Sequence, residues 1–239
     1  MYLHNTLNAL SGTFPSTEQS SKTSTVNYEA QTVNRSMNTT IGTSQASLTF
    51  VNTTVRNDEF GYVSKFVSEP LNMTSITAQT WTWNYAAKIS AGGPINAYPT
   101  PSSSDNMPVA VYVWRPSTGA KVLNIFDGNT STTGYDVGFE NNLNEVTEQG
   151  TFSGAAVTCQ AGDVIIIEIW VRIDAVSTTS ATLSIFYDGT TVNTSASGTT
   201  VSNHASFLET PQTLTFTSAP IDMTESAAKT YSNKFITKV

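Results

Sequence analysis

A series of short segments with alternating apolar and polar residues most restricts the fold of this chain. The strongest segment is 164–174 (VIIIEIWVRID). One of its stripes consists of Ile165, Ile167, Ile169, Val171 and Ile173. The other stripe carries Glu168, Trp170, Arg172 and Asp174. A period of two indicates a β-strand, because successive side chains point to opposite faces of a sheet. We therefore predict a strand here, with its isoleucine stripe in the core and Glu168 and Arg172 facing away as a surface or interface ion pair.

Further strand-like segments follow one another at roughly hairpin spacing. They are 47–55, 61–66, 76–89, 109–115, 121–126, 150–159, 181–187 and 212–217. Both stripes of 109–115 (VAVYVWR) are apolar, as in a central strand that is covered on both faces. Tight turns are predicted at 116–119 (PSTG), at Gly162-Asp163 and at Asp188-Gly189. No helical period separates these segments, so the series predicts an all-β fold, an antiparallel β-sandwich of jelly-roll type.

The flanking regions differ from this central part. Residues 1–45 are polar and weakly patterned, which predicts an extended N-terminal arm, and 46–217 form the sandwich domain. The segment 91–107, rich in proline, glycine and serine, is predicted to be a loop. Residues 218–239 are a C-terminal tail, either a short helix within 223–234 or a second extended arm.

Composition limits the partners of the chain. There are 39 Thr and 28 Ser among 239 residues, and Thr fits the half-exposed face of a strand. The formal charge of −7, with 11 scattered basic residues, argues against direct nucleic-acid binding, which requires neutralisation of phosphates. The start of the chain resembles no signal peptide, and no apolar run is long enough to cross a bilayer. A single cysteine, Cys159, is expected to be a small buried side chain and fits a reducing cytoplasm.

Few residues are candidates for catalysis or for metal binding. His4 and His204 have no ligand-type neighbours in sequence, so a two-histidine metal site would need tertiary coincidence. Glycoside hydrolysis needs a pair of carboxylates. For that pair the chain offers Glu168 together with Glu69, Glu140 or Glu209. These patterns predict no catalytic, cofactor-binding or metal-binding residue.

The tryptophans allow two interpretations. Trp81 and Trp83 lie on one stripe of 76–89, and Trp114 and Trp170 belong to other predicted strands. Such side chains form a core or a subunit interface, or they provide a platform on which a sugar ring stacks. Because Tyr85 and Ala87 extend the stripe beyond a sugar footprint, packing is the favoured interpretation.

An ordered set of fragments resembles a family of small β-sandwich structural proteins of tailed bacteriophages. The fragments are 67–71 (VSEPL), 80–83 (TWTW), 111–119 (VYVWRPSTG), 162–164 (GDV), 168–170 (EIW), 186–190 (FYDGT) and 208–214 (LETPQTL). The resemblance extends over about residues 60–217 and leaves out the predicted arm and tail. It implies a non-enzymatic virion component of jelly-roll type, and it supplies no catalytic motif.

Among virion positions, a head decoration (cement) protein is our first hypothesis, because the two polar extensions of a sandwich could hold neighbouring shell subunits together. Expected partners are further copies of the chain, as a homotrimer, and the major capsid protein or other virion subunits. The protein would be made in the host cytoplasm and reside in the virion. A tail, neck or fibre component for attachment is the alternative. A carbohydrate-binding module or a glycan-degrading enzyme is the hypothesis from another class.

Overall fold

The computed structural model describes residues 1–8, 26–27, 29–52, 59–89, 109–127, 144–173, 181–192 and 199–217. Every regular element in these ranges is a β-strand, which confirms the prediction of an all-β fold. Within the same ranges there is no helix of the length and apolarity needed to cross a bilayer.

Fifteen strands are found in the described residues. They are β1 (Tyr2–Leu7), β2 (Val26–Asn27), β3 (Arg35–Asn38), β4 (Ala46–Asn52), β5 (Glu59–Ser68), β6 (Ser75–Ile76), β7 (Gln79–Ile89), β8 (Val109–Arg115), β9 (Ala120–Asp127), β10 (Val146–Gly154), β11 (Val157–Thr158), β12 (Val164–Ile173), β13 (Ala181–Tyr187), β14 (Thr199–Thr200) and β15 (Phe207–Glu209). The segments with the strongest sequence patterns, 109–115, 164–174 and 181–187, are thus found as strands β8, β12 and β13. The predicted strand at 212–217 contributes only an isolated bridge, between Leu71 and Phe216.

Thirteen of these strands form one large sheet, and β6 and β11 form a second, two-stranded sheet. The main path runs β14-β10-β7-β15-β1-β3-β5-β12-β8-β9, with β13 bridging β7 to β4 and with β2 on β5. Most neighbours are antiparallel, but β2 and β3 both run parallel to β5. The sheet is therefore mixed, which corrects the prediction of a purely antiparallel one.

Three short segments of the predicted N-terminal arm, β1, β2 and β3, belong to the main sheet. Strand β1 pairs with β3 and with β15, and β3 pairs in turn with β5. Leu3 and Met37 are fully buried in the apolar core. The prediction of an arm is therefore wrong for these segments; β1 and β3 each need only one or two apolar residues to join a core that other strands supply. Residues 9–25, the predicted loop at 91–107 and the predicted tail at 218–239 lie outside the described residues.

The core lies on one face of β12, which we call the first face. Ile165, Ile167 and Ile169 are fully buried there, in a large cluster shared with residues of β5, β7, β8, β10 and β13. The predicted isoleucine face is thereby confirmed for these three residues. The side chains of Val171, Arg172 and Ile173 lie outside the described part of the chain.

The second face of β12 carries Val164, Ile166, Glu168 and Trp170, and it is also buried. Val164 and Ile166 pack with Val67 of β5 and with Tyr112 and Trp114 of β8 in a smaller apolar cluster. Strand β8 is thus covered on both faces, as predicted. Glu168 does face away from the isoleucine stripe, but it is fully buried, so its predicted place on a surface is wrong.

The predicted turns are found where the sequence places them. Gly119 has a φ of 62° and its N–H donates to the carbonyl of Arg115 at 3.0 Å, which closes the β8–β9 hairpin. A positive φ is readily adopted only by glycine, which explains its position in the turn. Gly162 and Asp188 also have positive φ values, of 95° and 60°.

Candidate functional site

Glu168 lies at the centre of a buried polar cluster on the second face of β12. The Tyr112 hydroxyl on β8 donates to its Oε1 at 2.9 Å. The indole N–H of Trp170, two residues along the same strand, donates to Oε2 at 3.3 Å. Each carboxylate oxygen thus accepts a hydrogen bond, which offsets part of the cost of burying this group.

Lys65 stands directly opposite Glu168 on β5. Its side chain is 1% exposed, and its Nζ donates to the carbonyl of Gln31 at 3.0 Å. Burial lowers the pKa of Lys65, and the neighbouring Glu168 carboxylate opposes this shift. The amino group is therefore nearer to its neutral, nucleophilic form than that of a surface lysine.

Tyr62 completes the cluster on the side of β5. Its ring meets Trp170 edge to face, with the centroids 5.4 Å apart. Its hydroxyl is buried without a hydrogen-bond partner, and burial, followed by the charge of Glu168, raises its pKa. The cluster thus combines a carboxylate, an amine and aromatic groups, and all of these side chains are fully buried.

The other carboxylates considered for a glycosidase pair are arranged differently. Glu209 is exposed, Glu69 is half-buried and Glu140 lies outside the described residues. The side-chain hydrogen bonds described above for Glu168 come from a phenol and an indole. A glycosidase needs two carboxylates that flank an accessible bond, and the described residues do not present Glu168 in that way.

His4 connects three parts of the chain. Its Nδ1 lies 2.6 Å from Oδ1 of Asp188, and its Nε2 lies 3.0 Å from Oδ1 of Asn38. The same Asn38 oxygen accepts the N–H of Thr40 at 2.8 Å, which identifies it as an acceptor. Both ring nitrogens therefore face acceptors, and His4 holds β1 to β3 and to the turn after β13.

His204 is fully buried and its Nε2 lies 2.6 Å from Oδ1 of Asn84 on β7. Burial lowers the pKa of His204 to about 4, so its ring is neutral at pH 7. The two histidines thus have different partners. Within the described ranges, no three His, Cys, Asp or Glu side chains come together in a group that could hold a metal ion.

All four tryptophans are buried, with Trp114 the most exposed at 7%. Trp81 stacks on Phe152 of β10, with the ring planes 4° apart, and Trp83 stacks on Tyr85. The indole N–H groups of Trp81 and Trp83 are buried without hydrogen-bond partners, as expected of side chains placed for packing. No tryptophan face is therefore open for a sugar ring, and the packing interpretation is confirmed.

The acidic residue of the Gly162-Asp163 turn also has a structural role. Asp163 binds Arg115 through two parallel hydrogen bonds, from Nε and from Nη2, each 2.8 Å long. It also accepts the N–H of Gln160 at 2.8 Å. The turn thereby fastens the start of β12 to the end of β8. Cys159, just before it, is buried as predicted.

The sequence analysis missed an exposed surface that we call the hydroxyl face. It lies on parts of the side of β4, β7 and β10 that faces away from the large apolar core; farther along this side, Asn84, Ala86 and Thr147 are buried. Its members are the exposed Ser47, Thr49, Thr80, Thr151 and Ser153 and the half-buried Thr82. Thr82 pairs with Thr151 and Thr80 with Ser153 across β7 and β10. The alternation of hydroxyl and apolar residues in these segments is the signal that could have revealed it.

Comparison of the chain with models of protein families, with curated proteins and with solved structures found no match.

Proposed function

We propose that this chain is a non-enzymatic structural protein of a bacteriophage virion, most specifically a head decoration (cement) protein. One observation carries the proposal: the tryptophans and Glu168 of the phage-like fragments are buried, whereas small hydroxyl side chains are exposed. An adhesin or a glycosidase needs accessible aromatic or acidic groups. A structural subunit needs a stable core and a broad surface that other subunits can cover.

The proposal includes the finer fold, a β-sandwich of jelly-roll type. In support, residues of β7, β10 and β13 share one apolar core with residues of β5, β8 and β12. Two groups of strands that bury a common core are what a two-layer arrangement requires.

The proposed partners are further copies of the chain, as a trimer, and the major capsid protein or another virion subunit. The hydroxyl face supports this, because covering Ser and Thr side chains removes no charge from water and their hydroxyls can bond to a partner. Since β1 and β3 belong to the sheet, docking through an arm made of these segments is no longer part of the proposal.

Virions that lack the protein test the proposed position. We expect normal adsorption to the host and heads that break at a lower temperature than those of the parent phage. Stable heads with lost adsorption would instead place the protein in the tail or fibre. Labelling the protein in negatively stained virions checks the same point directly.

The hydroxyl face offers a variant test of the same proposal. Changing Thr82 and Thr151 to Lys places two like charges at paired positions of neighbouring strands. Another subunit that binds at this face would have to remove water from both charges, which weakens its binding. We expect reduced incorporation into virions with an unchanged circular dichroism spectrum. The matched control is Lys121→Thr on β9, an exposed residue outside this face, and it should leave incorporation intact. Full incorporation of the double variant would show that this face is not the contact surface.

A further inference from the structure

Asn34 takes up a defined position next to β5. Strands β3 and β5 are parallel, with Arg35 opposite Phe66 and Ser36 opposite Val67. Asn34 directly precedes β3, and its carbonyl accepts the N–H of Asn8, just after β1, at 2.8 Å. One more step in this register places Asn34 beside Lys65. Both then lie on the second face, which Val67 shares.

The side chain of Lys65 supports this placement independently. The Nζ of Lys65 donates to the carbonyl of Gln31, in the turn that leads directly into Asn34. The Oδ1 of Asn34 is buried without a hydrogen-bond partner. A buried amide oxygen without a partner is costly, and such groups often mark a site of chemistry or of strain.

Glu168 lies on the other side of Lys65. The pairing of β5 with β12 sets Lys65 opposite Glu168. We call Glu168, Lys65 and Asn34, the residue that directly precedes β3, the row. Trp170 and Tyr112 fix the carboxylate of Glu168 through their hydrogen bonds. The row thus contains an amide, an amine and a carboxylate. Lys65 and Glu168 are fully buried, and Asn34 is half-buried with its Oδ1 atom inside.

We infer that Lys65 and Asn34 are a modification site, at which their side chains join in a spontaneous intramolecular amide bond assisted by Glu168. The substrate is the protein itself, and the inference does not rest on the proposed function.

The reaction balances without any further reagent. The neutral amine of Lys65 attacks Cγ of Asn34, and a new bond forms between Nζ and Cγ. The bond between Cγ and Nδ2 then breaks. Glu168 accepts a proton from Nζ and delivers it to the departing nitrogen, which leaves as ammonia. No electron is gained or lost. Burial that favours the neutral amine of Lys65 and a carboxylate at its side both promote these steps.

The mass of the intact purified protein tests the inference. We expect the wild-type chain to be lighter than its sequence mass by one molecule of ammonia. After trypsin digestion, the peptide 23–35 should be joined to the peptide 57–88, in which cleavage after Lys65 is blocked. Wild-type protein at its full sequence mass, with separate peptides and cleavage after Lys65, would overturn the inference.

Variants assign the roles within the row. Lys65→Arg and Asn34→Ala should each restore the mass calculated for the variant sequence, because one reacting group is missing. Glu168→Gln should do so as well, with an unchanged circular dichroism spectrum. An amide bond that forms fully in Glu168→Gln would contradict the role given to Glu168. The matched control is Lys121→Arg, which changes an exposed lysine and should keep the ammonia deficit.

Discussion

Strand β12 buries both of its faces, but the two faces are chemically different. The first face places Ile165, Ile167 and Ile169 in the large apolar core. The second face combines Val164 and Ile166 with Glu168 and Trp170, opposite Lys65 on β5. Apolar packing tolerates exchange among side chains of similar volume. A buried polar group depends on particular partners, since an unmade hydrogen bond costs more than a made one contributes.

The largest expected effect is on the first face. Ile167→Ala should lower the free energy of unfolding by roughly 2–5 kcal/mol, because it removes buried methyl groups and leaves a cavity. Denaturation in urea, followed by circular dichroism, measures this loss.

Ile166→Ala is the matched control on the second face of the same strand. Its loss should be smaller, because Ile166 belongs to the smaller of the two apolar clusters. A greater loss at position 166 than at 167 would reverse the proposed ranking of the two faces.

Loss of a hydrogen bond on the second face should have the next effect on the free energy of unfolding. Tyr112→Phe keeps the ring but removes the hydroxyl that donates to Glu168. The free energy of unfolding should fall by about 1.5–3 kcal/mol, the usual range for a hydrogen bond to a charged group.

Tyr62→Phe is the control for this change, since it removes a buried hydroxyl that has no partner. Its effect on urea denaturation should be close to zero or stabilising. If both variants lose stability equally, the hydrogen bond to Glu168 is not what distinguishes these two tyrosines.

A third effect concerns pH and extends the comparison to a buried polar residue beside β7. Burial lowers the pKa of His204 from its ordinary value of 6.5 to about 4. Between these values the unfolded chain binds a proton at this residue that the folded chain does not bind. The free energy of unfolding should therefore fall as the pH drops from 6.5 towards 4, and be unaffected by His204 above that window.

His204→Gln keeps a donor for Asn84 but does not titrate, so it should flatten this part of the pH profile. Burial raises the pKa of nearby Glu145, which acts in the opposite direction, since the folded chain then holds a proton that the unfolded chain has released. The difference between the wild-type and variant profiles isolates His204. Parallel profiles from pH 7 to 4 would contradict its buried, neutral state.

Several strands could be predicted from the sequence because their local pattern is decisive. In β8, β12 and β13 the apolar residues recur at every second position or fill both faces, and the structure places these strands at or within one residue of the predicted bounds. The β8–β9 turn was equally predictable, since Pro116 and Gly119 favour the backbone angles it requires.

Other strands depend on partners that are distant in sequence. Strands β1 and β3 have weak patterns, and they are strands because β5 and β15 offer them free edges. The segment 212–217 has a good alternating pattern but forms only one bridge. Alternation shows that a segment can be a strand, whereas the available edges decide whether it pairs.

The candidate site divides in the same way. The sequence by itself determined that Glu168 points away from the isoleucine stripe, because a period of two fixes the face of every residue in a strand. Only the tertiary structure decided that this face is buried and that Lys65 and Tyr112 lie next to the carboxylate. The physical reason is that the backbone of one strand alone determines on which face of the sheet each side chain lies. Burial and contacts follow from pairing among β3, β5, β8 and β12, which are far apart along the chain.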